Sequence, residues 1–201
     1  MMPEVFWTIL LAALLELDTT YAFQLTLSRG IVAGPLLSLI TGDLMAGVQV
    51  GALTELLFAD INPLGGILPP SAVACCAVSL ILHAYGVPLC VAFFFGVVCA
   101  ILFAQVERWV RKNRSYWLAR RETTICAKPA VLNRLIAGLL VGAFLFFFVF
   151  FAAFVLVCKP AALWLTEHLS DKALIAWKFA YVAVPWIGMT TLIASFRLKT
   201  K

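Results

Sequence analysis

Charge is what this sequence has least of: only 12% of its 201 residues are Asp, Glu, Lys or Arg, and no Lys or Arg occurs from residue 30 to residue 107. With 64% hydrophobic residues and a mean hydropathy of +1.03, that scarcity excludes an ordinary soluble domain and points to a polytopic membrane protein. The six cysteines form no C-x-x-C pair and mostly sit within apolar runs, so they read as small buried hydrophobes rather than a redox motif. The two histidines, His83 and His168, stand in no ligand spacing with them, and neither a metal nor a cofactor is expected. His83 reads as a satisfied core or interface residue rather than a phosphoryl carrier. No sequence repeat stands out. The opening MMPEVFWTILLAALLELD has no basic leader and no small-residue cleavage pattern, so the first helix is expected to stay in place.

The charge that exists is concentrated. Arg108, Arg111, Lys112, Arg114, Arg120, Arg121, Lys128 and Arg134 crowd one stretch, opposed only by Glu107 and Glu122. The positive-inside rule makes that stretch cytoplasmic, and basic Arg197, Lys199 and Lys201 put the C-terminus on the same side. The basic stretch is expected at the membrane surface; no recognition motif accompanies it, so nucleic acid is not an expected partner.

Segment lengths divide the chain. Residues 5–17 are too few to cross a hydrocarbon core of about 30 Å at 1.5 Å per residue, so they enter and turn back or lie in the interface. Residues 30–59 are longer but interrupted by Gly34-Pro35 and Gly42-Asp43, which predicts two half-length helices. Residues 71–83 are again short, whereas 87–106, 135–158 and 173–196 are full spans, the last with Pro185 available for a kink and 159–172 as an outside loop. The expected fold is an all-α polytopic membrane protein, with short broken or re-entrant helices in the N-terminal half and two full transmembrane helices in the C-terminal part. Its parts are a membrane core at 1–106, a basic cytoplasmic linker at 107–134 and a helical hairpin at 135–201.

Residues 29–70 hold three carboxylates, an asparagine, seven glycines and four prolines in an otherwise apolar stretch. Ionised groups at membrane depth cost several kcal/mol unless they face protein or water, so Asp43, Glu55 and Asp60 are functional candidates. Backbone broken by Pro63, Gly65, Gly66, Pro69 and Pro70 is tolerated there only where it is buried in protein or lines a cavity. Asp43, Gly47, Gly51 and Glu55 recur every four residues along one helical stripe, whose glycines suit close helix packing and whose acids that packing leaves unexplained. Asp60, Asn62 and freed backbone groups offer the mixed donors and acceptors that a polyhydroxylated ligand needs, although the same acids could couple protons. Arg29 either neutralises an acid across a helix pair or snorkels to the interface.

Asp18, Ala22-Phe23-Gln24, Leu27-Ser28-Arg29, Gly34-Pro35, Leu39-Ile40-Thr41-Gly42-Asp43, Gly47, Gly51-Ala52-x-x-Glu55-Leu56 and Asp60-x-x-Pro63-Leu64-Gly65-Gly66 occur in this order. That series resembles the IIC membrane subunit of the mannose, fructose and sorbose class of the bacterial phosphotransferase system. It covers roughly residues 15–75; after about residue 106 no motif aligns. The resemblance implies a permease subunit in the bacterial inner membrane, not catalytic alone, that pairs with a IID membrane subunit. It takes a hexose from outside, and phosphorylated IIB, fed by IIA, phosphorylates the sugar on release. It further implies substrate contacts from Glu55 and Asn62, with Asp18, Gln24, Asp43 and Asp60 lining or gating the pocket. Gly47, Gly51, Pro63, Gly65 and Gly66 would serve packing and hinge roles, in a homo- or hetero-oligomer. The rival readings are a proton- or cation-coupled carrier, a degenerate or regulatory subunit that assembles with IID, and an intramembrane enzyme, which no motif supports.

Overall fold

The computed structural model describes residues 3–19, 25–59, 61, 68–119 and 129–198, with backbone alone for 117–119, 129–131 and 195–198. Within them are seven helices: α1 Pro3–Leu17, α2 Gly30–Thr41, α3 Leu44–Phe58, α4 Ala72–Ala84, α5 Leu89–Ala119, α6 Pro129–His168 and α7 Asp171–Leu198. The fold is all-helical, with the short apolar helices first and three helices long and apolar enough to cross a membrane after them. At 1.5 Å per residue the first four helices run only about 18 to 23 Å, short of a full crossing.

Each short helix ends for a local reason. Gly42 closes α2 in the left-handed conformation (φ 84°), and its N–H donates to the Ser38 carbonyl at 2.8 Å, a geometry that a Cβ would strain. Asp43 starts α3 by accepting from the Ala46 N–H at 3.0 Å, and Ser71 starts α4 by accepting from Ala74 N–H at the same distance. The Gly42-Asp43 break therefore yields the two half-length helices expected there. Gly34-Pro35 does not interrupt: Pro35 lies inside α2, where the neighbouring helix packs tightly and Ser38 Oγ donates to the Pro35 carbonyl at 2.7 Å. Pro35 costs α2 the one backbone bond its missing N–H would have given the Ile31 carbonyl, and the tight packing of α3 against this turn holds the helix continuous across it.

Helices α2 and α3 pair antiparallel, as do α4 and α5. The α2–α3 contact is nearly side-chain-free, since a Cβ on Gly34 would come within 2.8 Å of Gly51 Cα and one on Gly30 within 2.8 Å of the Gly51 carbonyl oxygen. α4 is the hub: it packs against α1, α2, α3, α5 and α6, and every residue from Val73 to Leu82 is buried. Four cysteines, Cys75, Cys76, Cys90 and Cys99, are free thiols within this core. Phe103 of α5 packs against Phe147, Phe150 and Phe151 of α6, with ring centroids 5.2 to 5.4 Å apart. The expected outside loop at 159–172 shrinks to residues 169 and 170. The run 160–168 is rich in helix formers, and α6 continues through Pro160 to His168. Lys159 Nζ sits 3.7 Å from the centre of the Tyr85 ring, tying this extension to the α4–α5 turn.

Candidate functional site

The first two helices leave α2 without a cap of its own: Arg29 precedes it in extended conformation and makes no side-chain capping bond. Glu55 of α3 supplies what is missing. Its Oε2 accepts from the Gly30 N–H at 2.9 Å and its Oε1 accepts from Arg29 Nη1 at 2.7 Å. A carboxylate placed there complements both the orphan amides and the positive end of the helix dipole. Arg29 thus neutralises an acid across a helix pair, the first of its two expected readings, while its side chain stays 65% exposed.

Asp18, just after α1, organises the approach to the same helix end. Its Oδ1 accepts from Leu25 N–H at 2.7 Å, and its Oδ2 accepts from Leu27 and Ser28 N–H at 2.8 and 3.4 Å. Asp18 is buried, and backbone donors engage both of its oxygens. Glu55 keeps partial exposure at 29%, and a carboxylate has about four acceptor directions, so it can still take a hydroxyl. The exposed Arg29 guanidinium adds donors beside that acceptor, which is the pairing a sugar hydroxyl requires.

Asp43 is not in this group. It caps the opposite end of α3, about 18 Å from Glu55 by helix rise, where Oδ2 lies 3.4 Å from His83 Nε2. His83 Nδ1 donates to the Val87 carbonyl at 3.0 Å, so the histidine bridges the α2–α3 turn and the α4–α5 turn. Gly47 and Gly51 sit in the α2–α3 contact. Gln24, Asp60, Asn62, Pro63, Gly65 and Gly66 lie outside the described residues.

The sequence reading passed over a second polar group at the Asp18 end of the bundle. Glu16 is 1% exposed and its Oε2 accepts from Ser71 Oγ at 2.7 Å, while the same hydroxyl caps α4. Glu107 of α5, 4% exposed, pairs with Arg111 through Nε at 2.9 Å and through Nη2. Both groups lie within electrostatic reach of Glu16. The available signal was the position of Glu16 inside an apolar helix; Glu107 was hidden by its place at the edge of the basic run. Buried ionisable groups of this kind persist only with partners, and here each has one.

Comparison with known proteins extends the match beyond these motifs. The family described as PTS system sorbose-specific IIC component matches residues 3–200, including the long helices where the sequence offered no alignable motif. The chain is 32% identical over 107 residues to the N-acetylgalactosamine permease IIC component 1 of Escherichia coli (strain K12), covering 53% of this chain and 39% of that protein. It is 40% identical over 45 residues to the putative N-acetylgalactosamine permease IIC component 2 of the same organism, covering 22% of this chain and 34% of that protein. The matched part thus spans well under half the length of either relative. No solved structure matches. The relatives carry the names of permease components, membrane subunits rather than enzymes in themselves. With nearly its whole length matched, this membrane chain belongs to the sorbose-specific IIC component family of the phosphotransferase system.

Proposed function

We propose that the chain is a sugar-translocating IIC subunit that works with a IID membrane subunit and delivers a hexose to phosphorylated IIB, itself supplied by IIA. The observation that carries this reading is the convergence of Asp18, Arg29 and Glu55 on the N-terminal end of α2. There a buried acid fixes the backbone and a partly exposed acid–guanidinium pair presents acceptors and donors together. Asn62, Gln24 and Asp60 join the site in this proposal as further hydroxyl partners; Asp43 acts at the far end as a gate contact with His83 rather than as a sugar ligand.

Orientation gives the arrangement a purpose. The α2 end bearing Glu55 is also the end where Glu16 meets the Glu107–Arg111 pair, at the start of the basic stretch assigned to the cytoplasm. The sugar site therefore opens toward the side on which a cytoplasmic phosphoryl donor works. Phosphorylation at that face makes uptake one-way, because the charged product no longer fits an apolar exit.

Radiolabelled hexose and amino-hexose uptake in cells expressing this chain with IIA, IIB and IID components tests the reading. Accumulation as sugar phosphate that depends on IIB and falls at least tenfold in Glu55→Gln supports it. Accumulation of free sugar driven by a proton gradient would instead favour a coupled carrier, for which the buried Glu16–Ser71 contact beside Glu107 is the structural motive.

A further inference from the structure

We propose that His83 is a proton-binding site at the end of the bundle away from the basic stretch, where its doubly protonated ring ties the α2–α3 turn to the α4–α5 turn. This deepens the reading of Asp43 as a gate contact and rests on it. Nδ1 of His83 lies 3.0 Å from the Val87 carbonyl oxygen, and Nε2 lies 3.4 Å from Asp43 Oδ2. Both neighbours are acceptors. A neutral imidazole has one N–H and turns a lone pair toward whichever acceptor it does not serve; only the imidazolium can donate on both sides. The Ala46 N–H, donated to Oδ1 at 3.0 Å, holds the Asp43 carboxyl below its usual range, so the carboxylate stays an acceptor at mildly acidic pH.

The surroundings leave Asp43 as the group that answers a proton on His83. From α6 come the Cys158 thiol and Lys159, whose ammonium lies 3.7 Å over the Tyr85 ring. Helix α2 carries no ionisable side chain, and the acid on α3, Glu55, stands at the opposite end and is paired with Arg29. On α5 there is the buried Cys90 thiol and no charge before Glu107. Helix α1 contributes Glu4, which is exposed, and Glu16, which is held at Ser71 before the start of α4. The His83 and Asp43 side chains are 33% and 49% exposed, so protons from solution reach both. Asp43 also caps α3, which interlocks with α2 at Gly34 and Gly51, so the contact fastens that end of the pair to α4. The positive-inside rule places this end outside, and histidine changes charge near neutral pH. The contact is therefore complete at acidic external pH and is lost as the pH rises through the histidine range.

Hydrogen exchange of the full chain in phosphatidylcholine nanodiscs, without sugar, tests this at about pH 5.5 and about pH 8, either side of the histidine range. Rates are corrected for the intrinsic pH dependence of exchange. The amides of Gly42, Ala46, Gly47, Gly86 and Val87, all bonded at the two turns, report the contact. The expected result is about threefold greater protection of these amides at the acidic pH, the scale of a partly exposed ion pair. Amides around the Phe103–Phe147 contact should not change. His83→Gln and Asp43→Asn should each abolish the difference, and the asparagine still caps α3. Equal protection of the wild type at both pH values would overturn the proposal, as would a difference that survives either substitution. No sugar takes part, so a failed uptake assay leaves the result standing, and pH-independent exchange leaves the Glu55 site untouched.

Discussion

The α2–α3 hairpin and the long helices α6 and α7 are both apolar, yet they are held by opposite means. In α2–α3 the glycines bring the two backbones into contact, and the end of α2 is fixed by a carboxylate from α3. In α6–α7 the helices are long enough to span, but only 17% and 11% of their most apolar windows are buried within the chain, against 50% for α5. Leu145, Val149, Leu156, Phe179, Val182 and Trp186 face outward. The hairpin is specified by what cannot fit between its helices, the long helices by their preference for hydrocarbon. A mutation therefore has to be judged by which kind of restraint it meets.

The sharpest way to break this contrast is a bulky residue at a glycine of the α2–α3 seam and another at an open glycine of α6. Gly51→Leu places its side chain against the Gly30 carbonyl and should abolish recovery of monodisperse protein. Gly138→Leu enters open space and should leave the size-exclusion profile of the chain unchanged. Similar profiles for the two variants would remove the distinction. Next in size is Asp18→Ala, which strips the acceptor from three backbone donors near α2. A loss of about 2 to 3 kcal/mol is expected, read as a lower thermal midpoint in detergent. An unchanged midpoint would mean that water replaces the carboxylate without cost.

Ser71→Ala sharpens the comparison at the foot of α4, where one hydroxyl serves two helices. Losing the cap should cost about 1 kcal/mol, and losing the Glu16 partner adds to it, so the variant should be less stable than Ser71→Thr. Equal stability of the two would show that methyl placement, not the hydroxyl, matters there. The smallest effect belongs to Arg29→Gln. Its pair with Glu55 is largely exposed, so stability should change by no more than about 1 kcal/mol while sugar uptake falls. Unchanged uptake in Arg29→Gln would confine Glu55 to capping α2.

How much of this was legible in advance follows from the range over which each residue acts. The break at Gly42-Asp43, the shortness of α1 and the three long apolar helices were readable because length and local turn chemistry decide them. The continuity of α2 through Pro35 and of α6 through Pro160 was not, because neighbouring packing and solvent override a local preference. The Arg29–Glu55 pair was foreseen as one of two options and needed the antiparallel register of α2 and α3 to decide it. Asp43 and Glu55 share a stripe whose spacing already set them at its two ends, and they stand at opposite ends of α3; what the stripe did not carry is which partner each acid meets. Glu16 stayed hidden because its contact joins elements far apart in sequence, Ser71 being 55 positions away, and Glu107 because its local pair with Arg111 merged with the basic run.

The backbone seam between α2 and α3 also constrains movement. Side chains between helices act as bearings that let one slide or roll past the other; here almost none intervene, and Gly34 and Gly51 interlock as teeth. The pair must travel as one rigid lever, with Asp18 gripping the chain that leads into α2 at one end and the Asp43–His83 latch at the other. Glu55 at one end of this lever and the Asp43–His83 contact at the other are thus joined by a single rigid pair rather than by a chain of adjustable side chains.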